Sequence, residues 1–276
     1  MHITIIANPG SGSYNKELLE LCTKKLGDKF GSCVLKNTTG PNTAGEIAAS
    51  DDADLIIAAG GDGLINEVVS GVVDKNALFS ALPFGTVNVY CRQFKIPLDP
   101  LKAVEKLNPD SNKLIAAGFL NARAFVLMCG FGYDAEVVGR VVRKGYKKHK
   151  TLAHIKEGMG AFFQKYPEIE VYSEGRFYKC RHLIVSLVPC YAGNYVLSKD
   201  IKEGVFNLFM QEERTSALLY SSISIALGKG HPVRPVYAET LKVKGTDRAQ
   251  LDGEYIETGN LQNYLSVNKD ALRILI

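Results

Sequence analysis

No stretch of this chain approaches the roughly 20 apolar residues that a membrane-spanning helix needs; the most apolar windows, 55–59, 125–129 and 183–188, are far shorter. The N-terminus lacks a basic stretch, an apolar helix and a small-residue cleavage site, opening instead on alternating Ile3, Ile5 and Ile6, so an exported chain is not expected. Cys-x-x-Cys pairs are missing. The six cysteines, several of them inside apolar strand-like runs, read as reduced thiols packed as small hydrophobes, and the expected location is the cytoplasm. Charge is barely skewed: 33 basic against 29 acidic side chains leave a net +4, and with no basic patch interleaved with aromatics nucleic acid is not an expected partner. The five histidines have no metal-ligand spacing, and no Ser-His-Asp arrangement can be argued. With 46% hydrophobic and 22% charged residues over 276 positions, the composition excludes disorder and rod-like folds and leaves a globular chain of one or two domains.

Apolar runs at 2–7, 33–36, 55–59 and 77–82 alternate with helical-period stretches at 14–25, 44–50 and 65–73. That alternation predicts βαβ units and a doubly wound, mainly parallel α/β domain. Beyond the polar linker 108–113 the runs lengthen, at 122–129, 177–189, 205–210, 233–244 and 264–267, and predict an antiparallel β-rich second domain. One helical segment, 135–163, interrupts it. The boundary falls near residue 115, giving domains 1–115 and 116–276.

The strongest local signal is a strand feeding Gly60-Gly61-Asp62-Gly63 and then a helix that carries Asn66 and Glu67. Glycines at a strand-to-helix turn let backbone N–H groups approach a phosphate chain, and the helix N-terminus favours its charge. A plain tight turn is the competing reading. A Walker A loop is absent, since neither the Gly60 cluster nor Gly10-Ser11-Gly12-Ser13-Tyr14-Asn15-Lys16 supplies Gly-Lys-Ser/Thr. Gly130-Phe131-Gly132-Tyr133-Asp134-Ala135 has the glycine spacing of a dinucleotide turn but lysines where its ribose-binding carboxylate should stand. Leu82-Pro83-Phe84-Gly85-Thr86-Val87-Asn88 and Asn8-Pro9-Gly10-Ser11-Gly12 are further turns after parallel strands, and such turns gather at one sheet edge, where ligands bind.

These segments, with Asp252-Gly253-Glu254 after them, fall in the order seen in the diacylglycerol kinase catalytic-domain family, and the chain resembles its bacterial soluble lipid kinases and their sphingosine and ceramide kinase relatives. The resemblance implies two domains with an active-site cleft between them, and allows residues 268–276 to return to the first. It implies ATP and Mg²⁺ as cofactors and a membrane lipid as acceptor. By that resemblance Gly60, Gly61, Asp62, Gly63, Leu64, Ile65, Asn66 and Thr86 contact the nucleotide, with Asn8, Asn88 and Thr38, or its neighbour Thr39, beside them. Glu254, with Asp252 next to it, matches the proposed general base, a sensible group for taking an alcohol proton; a hairpin turn is the other reading of Asp-Gly-Glu. Leu64 stands where the family commonly has threonine, as in the sphingosine and ceramide branch. The segment Asp200-Ile201-Lys202-Glu203-Gly204-Val205 matches a loop that holds a structural Mg²⁺ in bacterial members, with Asp200, Glu203 and Val205 as its donors; Glu203 replaces the usual aspartate and Lys202 intrudes.

The basic run Arg140, Arg143, Lys144, Lys147, Lys148 and Lys150 is either a solvated helix face or a peripheral contact with an anionic membrane surface. An NAD kinase shares the Gly-Gly-Asp-Gly loop, a sphingoid or ceramide lipid kinase shares Leu64, and a catalytically silent nucleotide-binding regulator would keep the loop without the chemistry. The Pro83–Asn88 and Asp252–Glu254 segments favour the lipid kinase. Oligomeric state and the identity of the phosphorylated lipid leave no mark in the sequence.

Overall fold

A computed structural model describes residues 1–11, 13–145, 150–191, 195–212 and 215–275. The chain divides into two compact units, Met1–Ala117 with Asp270–Ile276, and Gly118–Lys269.

The first unit runs β1 (Ile3–Ala7), α1 (Lys16–Phe30), β2 (Cys33–Asn37), α2 (Thr43–Ser50), β3 (Leu55–Gly60), α3 (Asp62–Val72), β4 (Leu78–Pro83), α4 (Val89–Gln93) and α5 (Pro100–Lys106). Its sheet has the order β2-β1-β3-β4 with every pairing parallel, and Arg273 and Ile274 of the last strand pair parallel with Leu78 and Phe79 of β4. Each residue of β1 and β3 is buried, because helices cover a parallel sheet on both faces; this is why these strands are continuous rather than alternating apolar runs. Asn15 caps α1 by accepting the Leu18 N–H at 3.0 Å, and Leu19, Cys22 and Leu26 line its buried stripe. α2 packs closely on α3 because Gly45 and Gly71 meet there: a Cβ on Gly71 would lie 2.3 Å from the Gly45 carbonyl oxygen. The Lys75 ammonium closes the end of α2, donating to the carbonyls of Ala48, Ala49 and Asp51 at 2.6–3.0 Å.

The second unit begins in β5 (Asn112–Leu120) and continues through β6 (Arg123–Phe125), β7 (Met128–Phe131), α6 (Tyr133–Arg143), α7 (Lys150–Ala161), β8 (Ile169–Ser173), β9 (Arg176–Cys180) and β10 (His182–Ser186). It ends with β11 (Cys190–Tyr191), β12 (Tyr195–Val196), β13 (Phe206–Gln211), α8 (Thr215–Ala226), β14 (Val236–Ala238), β15 (Thr240–Lys244), β16 (Arg248–Leu251), β17 (Glu254–Glu257) and β18 (Gln262–Leu275). One antiparallel sheet has the order β14-β13-β10-β7-β16-β17. Within the same unit β18, β15, β8 and β9 pair antiparallel as another layer, and side chains from both layers share one core containing Phe125, Phe131, Val171, Val185, Phe206, Val243 and Leu251. The N-terminal parallel α/β unit and the C-terminal β-rich unit are the fold class read from the sequence. Among the described residues no helix is long and apolar enough to cross a membrane.

Three local readings are corrected. The apolar run 122–129 is two strands, because the N–H groups of Val126, Leu127 and Met128 turn to the Asp252 carboxylate. The helical stretch 135–163 is two helices, α6 and α7. α8, rich in serine and β-branched residues, has a pattern that is not helix-like in sequence, and it makes a second helical interruption among the strands.

Candidate active site

The parallel register places several turns at one edge of the first unit's sheet. Ala7 lies opposite Asn37 and Ala59, and Gly60 lies opposite Pro83, so Asn8, Thr38, Gly61 and Phe84 are the first residues beyond the carboxyl ends of β1, β2, β3 and β4. The chain steps from β1 to β2 on one side and later returns to β3 on the other. The edge between β1 and β3 is therefore a topological switch point, where ligands bind in open α/β sheets.

Two glycine turns approach each other there. A Cβ on Gly85 would sit 2.5 Å from both the Gly61 Cα and Asn88 Oδ1, and one on Gly61 would sit 3.3 Å from the Gly85 Cα. A side chain is shut out at Gly85 as the loops lie, and one at Gly61 would be tight. Gly61 caps α3 with its backbone and no side chain caps that helix, so its first N–H groups face the turn region with the positive end of the helix dipole. Leu64 lies back over Gly60, its Cδ2 2.4 Å from where a Gly60 Cβ would stand, which accounts for that glycine. The Asp62 carboxylate accepts the Tyr90 N–H at 3.2 Å and so joins α3 to α4.

The remaining residues of the set divide by what their groups already do. Asn88 is buried in a left-handed conformation at φ 52°; its Oδ1 accepts the Gly85 N–H at 2.9 Å and its Nδ2 donates to the Gly85 carbonyl at 3.0 Å. It holds the loop shut. Thr86 is exposed at the tip. Asn8 is exposed and accepts the Gly10 N–H at 2.8 Å, bending the first turn; Gly12 lies outside the described residues. Thr38, half-buried, donates its N–H to Ala7 O at 2.8 Å. Asn66 and Gly63 are half-buried in the first turns of α3. The Ile65 side chain is in the core and its N–H donates to Gly61 O, so it anchors the start of the helix. Arg92, which the motif reading passed over, donates Nε to Val87 O at 2.8 Å and brings a cation to the same loop.

In the second unit Asp252 and Gly253 form the two-residue turn joining β16 to β17, both at positive φ (50° and 92°), as a tight hairpin requires. The Asp-Gly-Glu segment is thus a hairpin turn whatever else it does. The buried Asp252 carboxylate accepts the N–H groups of Val126, Leu127 and Met128, each at 2.9 Å, and so ties the turn to the start of β7. Glu254, the first residue after the turn, is exposed. Behind it Gln250 accepts the Gly253 N–H at 2.8 Å and donates to Asp134 Oδ2 at 2.7 Å, while the Tyr191 hydroxyl donates to Asp134 Oδ1. Burial pushes the Asp134 carboxyl up, against the pull of those two donors. The link between Gln250 and Asp134 has no signature in local sequence, since the two are far apart in the chain.

In the loop matched to a structural Mg²⁺, a buried amide bonds to the backbone carbonyls. Asn207 Nδ2 donates to the carbonyls of Val205, Lys202 and Ser186 at 3.0–3.1 Å, oriented by the Lys202 N–H on its Oδ1 at 2.9 Å. Asn207 thus holds the loop's backbone, and the Asp200 and Glu203 side chains are exposed. Among the described residues no cluster of three metal-ligating side chains forms. Within the basic run, Arg140 and Arg143 pair with the buried Glu136 at 2.8 and 3.0 Å, and Lys144 pairs with the buried Glu157 at 2.7 Å. Lys147, Lys148 and the Lys150 side chain lie outside the described residues.

The family model for the diacylglycerol kinase catalytic domain matches residues 2–119. A diacylglycerol kinase of Bacillus subtilis (strain 168) is 30% identical over 272 residues, covering 91% of this chain and 89% of its own. One from Staphylococcus carnosus (strain TM300) is 26% identical over 268 residues, covering 91% and 88%. A crystal structure of a diacylglycerol kinase from Bacillus anthracis str. Sterne superposes with a TM-score of 0.76 at 17% identity, over 99% of this chain and 96% of that one, and shows the fold. This chain belongs to the diacylglycerol kinase family and is a kinase.

Proposed function

We propose that the protein transfers the γ-phosphoryl group of ATP to a hydroxyl of a diacylglycerol-like membrane lipid. The observation that carries this reading is the close approach of the Gly61 and Gly85 backbones at the switch-point edge, where a Cβ on Gly85 would collide and backbone N–H groups would be open to a polyphosphate. The names of the curated relatives supply the acceptor class.

Phosphoryl transfer needs little beyond positioning and charge neutralisation. The N–H groups at the start of α3 would hold the phosphates, Asn88 would keep the Gly85 loop at its distance, and Asn66, Thr86 and Thr38 would offer short polar groups to the nucleotide. Asp62, fixed by the Tyr90 N–H, would hold the Mg²⁺ that accompanies the nucleotide; the ion neutralises phosphate charge when bound. Glu254 would take the proton of the acceptor hydroxyl as that oxygen bonds to phosphorus and the bond to the ADP oxygen breaks. Contact with a bilayer belongs to the same proposal, since the acceptor resides there.

The test is incubation with Mg²⁺ and γ-labelled ATP in micelles carrying diacylglycerol or a mixed lipid extract, with NAD in a parallel tube. Label in the organic phase is expected. Asp62→Asn and Glu254→Gln should each lower turnover by about 100-fold or more without changing the melting temperature. Label on NAD would move the protein to another kinase reaction, and full activity in either variant would remove that residue's role.

A further inference from the structure

Glu254 is exposed and directly follows a two-residue turn. Proton abstraction needs the base within hydrogen-bond reach of one hydroxyl, so something must hold this turn still. The left-handed conformations of Asp252 and Gly253 give its shape. Two buried polar contacts then pin it to the body of the second unit. Asp252 anchors one side through residues 126–128. Gln250 anchors the other, and it is only 2% exposed.

The Gln250 contact is built at some expense. Gln250 lies opposite Gly130 in the β16–β7 pairing. The Asp134 carboxylate reaches it only because position 130 has no side chain: a Cβ there would stand 1.8 Å from Asp134 Oδ2. Donor and acceptor roles are fixed around the amide. The Gly253 N–H can only donate, so Oε1 faces the turn. Nε2 is left to donate to Asp134, whose other oxygen takes the Tyr191 hydroxyl. A buried amide and a buried carboxylate are thus satisfied by each other, and the amide's remaining bond goes to the turn backbone.

We infer that Gln250 is a positioning residue for Glu254, clamping the Gly253 N–H so that the turn presents its carboxylate in one place. This rests on the reading of Glu254 as the base. Asp134 and Tyr191 set the orientation of the clamp.

The charge pattern makes an exchange test available. In Gln250→Glu the acceptor toward Gly253 survives, but a second carboxylate faces Asp134. The two must share a proton to coexist. Low pH restores the bridge and rising pH breaks it. In the double variant Asp134→Asn with Gln250→Glu every partner is matched again: the carboxylate introduced at position 250 accepts from the Gly253 N–H and from the amide introduced at position 134, whose oxygen accepts from Tyr191. The other titratable groups facing the pair are Tyr191 of β11, Tyr133 of α6, Cys129 of β7 and Asp252 of the turn. Burial raises Tyr191, Tyr133 and Cys129 above their ordinary values, so these three add no limb between about pH 6 and 8.

The expected result with lipid micelles is a Gln250→Glu kcat that falls tenfold or more as pH rises through that window, with KM for ATP unchanged. The limb should be absent from the wild type and from the double variant, whose kcat returns to within threefold of Asp134→Asn. A second readout does not need activity. Exchange of the Gly253 amide is followed in ¹⁵N-glycine-labelled protein, the signal assigned by its loss in Gly253→Asn; it should be protected in the wild type and the double variant and fast in Gln250→Leu. A Gln250→Glu profile like the wild type's, a double variant that keeps the limb, or equal Gly253 exchange in wild type and Gln250→Leu would each overturn the inference. Should Gln250→Glu not fold, the double variant and Gln250→Leu carry the same test. A wild type that labels no lipid would end the proposed function, while the Gly253 exchange would still show whether the clamp exists.

Discussion

Two turns carry the proposed chemistry, and they are made in opposite ways. The turn at Gly60–Gly63, with its neighbour at Gly85, is built from backbone: side chains are missing where the two loops meet, and no side chain caps the helix that starts there. The turn at Asp252–Gly253 is built from buried side chains, with Asp252 tying down one flank and Gln250, Asp134 and Tyr191 the other. The difference follows from the ligand each would meet. A polyphosphate spreads its charge over many oxygens and is served by several N–H groups and an open cradle. A proton acceptor acts at one atom and depends on the placement of one carboxylate, which only a supporting network can fix.

The comparison breaks most severely at Gly85. In Gly85→Ala the new methyl group would collide with Asn88 Oδ1 and the Gly61 Cα at once, each 2.5 Å away. The loop would have to open by about an ångström. A fall of about 100-fold in kcat/KM for ATP is expected, with loss of nucleotide affinity by calorimetry. An active Gly85→Ala would mean that the cradle is not where phosphate binds. Gly130→Ala is the corresponding insult to the other turn. Its Cβ would overlap the Asp134 carboxylate inside the second unit, so the cost should appear as stability, about 3 kcal/mol by denaturant unfolding, and as lower kcat with KM for ATP unchanged. Equal effects of the two substitutions on nucleotide affinity would erase the distinction between the turns.

That difference in construction decides what the sequence discloses. The apolar strands before each glycine turn, β3 and β4, and the regular alternation with helices made the parallel unit legible, because in a covered parallel sheet burial, strand length and turn glycines all lie within one short window. The cradle at Gly61 and Gly85 shows as two motifs for the same reason. The support of Glu254 does not. Gln250 reads as an ordinary polar residue in a strand, Asp134 as a first-turn helix carboxylate, and Gly130 as a loop glycine; only the register Gln250 opposite Gly130 brings them together. The same limit explains Asp252, whose place beside the proposed base suggested chemistry while its carboxylate serves the backbone of 126–128. It also explains the basic run, whose partners Glu136 and Glu157 are visible as neutralising groups only once α6 and α7 are folded.

The smallest effect separates the units by pH. The first unit's only histidine is the exposed His2, whereas the second holds the half-buried His182 at the base of α6, where its Nδ1 accepts the Tyr133 N–H at 3.2 Å and the Tyr166 ring lies edge-on at 4.9 Å. Burial first, and Arg181 second, push its pKa down to about 4. The folded unit therefore keeps this ring neutral while the unfolded chain protonates it below about 6.5. Its contribution to stability is fully present above that value and is lost as pH falls toward about 4, the loss amounting to about 2 kcal/mol at pH 5. Asp134 works in the other direction, because a carboxyl raised by burial binds its proton more readily in the folded state and adds stability as pH falls. The two are separated by His182→Asn, which keeps an acceptor for Tyr133 but cannot titrate. Hydrogen exchange of β10 amides at pH 7 and pH 5 should show the wild type loosening more than this variant, while β1 and β3 change equally in both. An equal response in β10 would mean that the His182 ring does not tie this unit's stability to acid, leaving His231, which burial also pushes down to about 4.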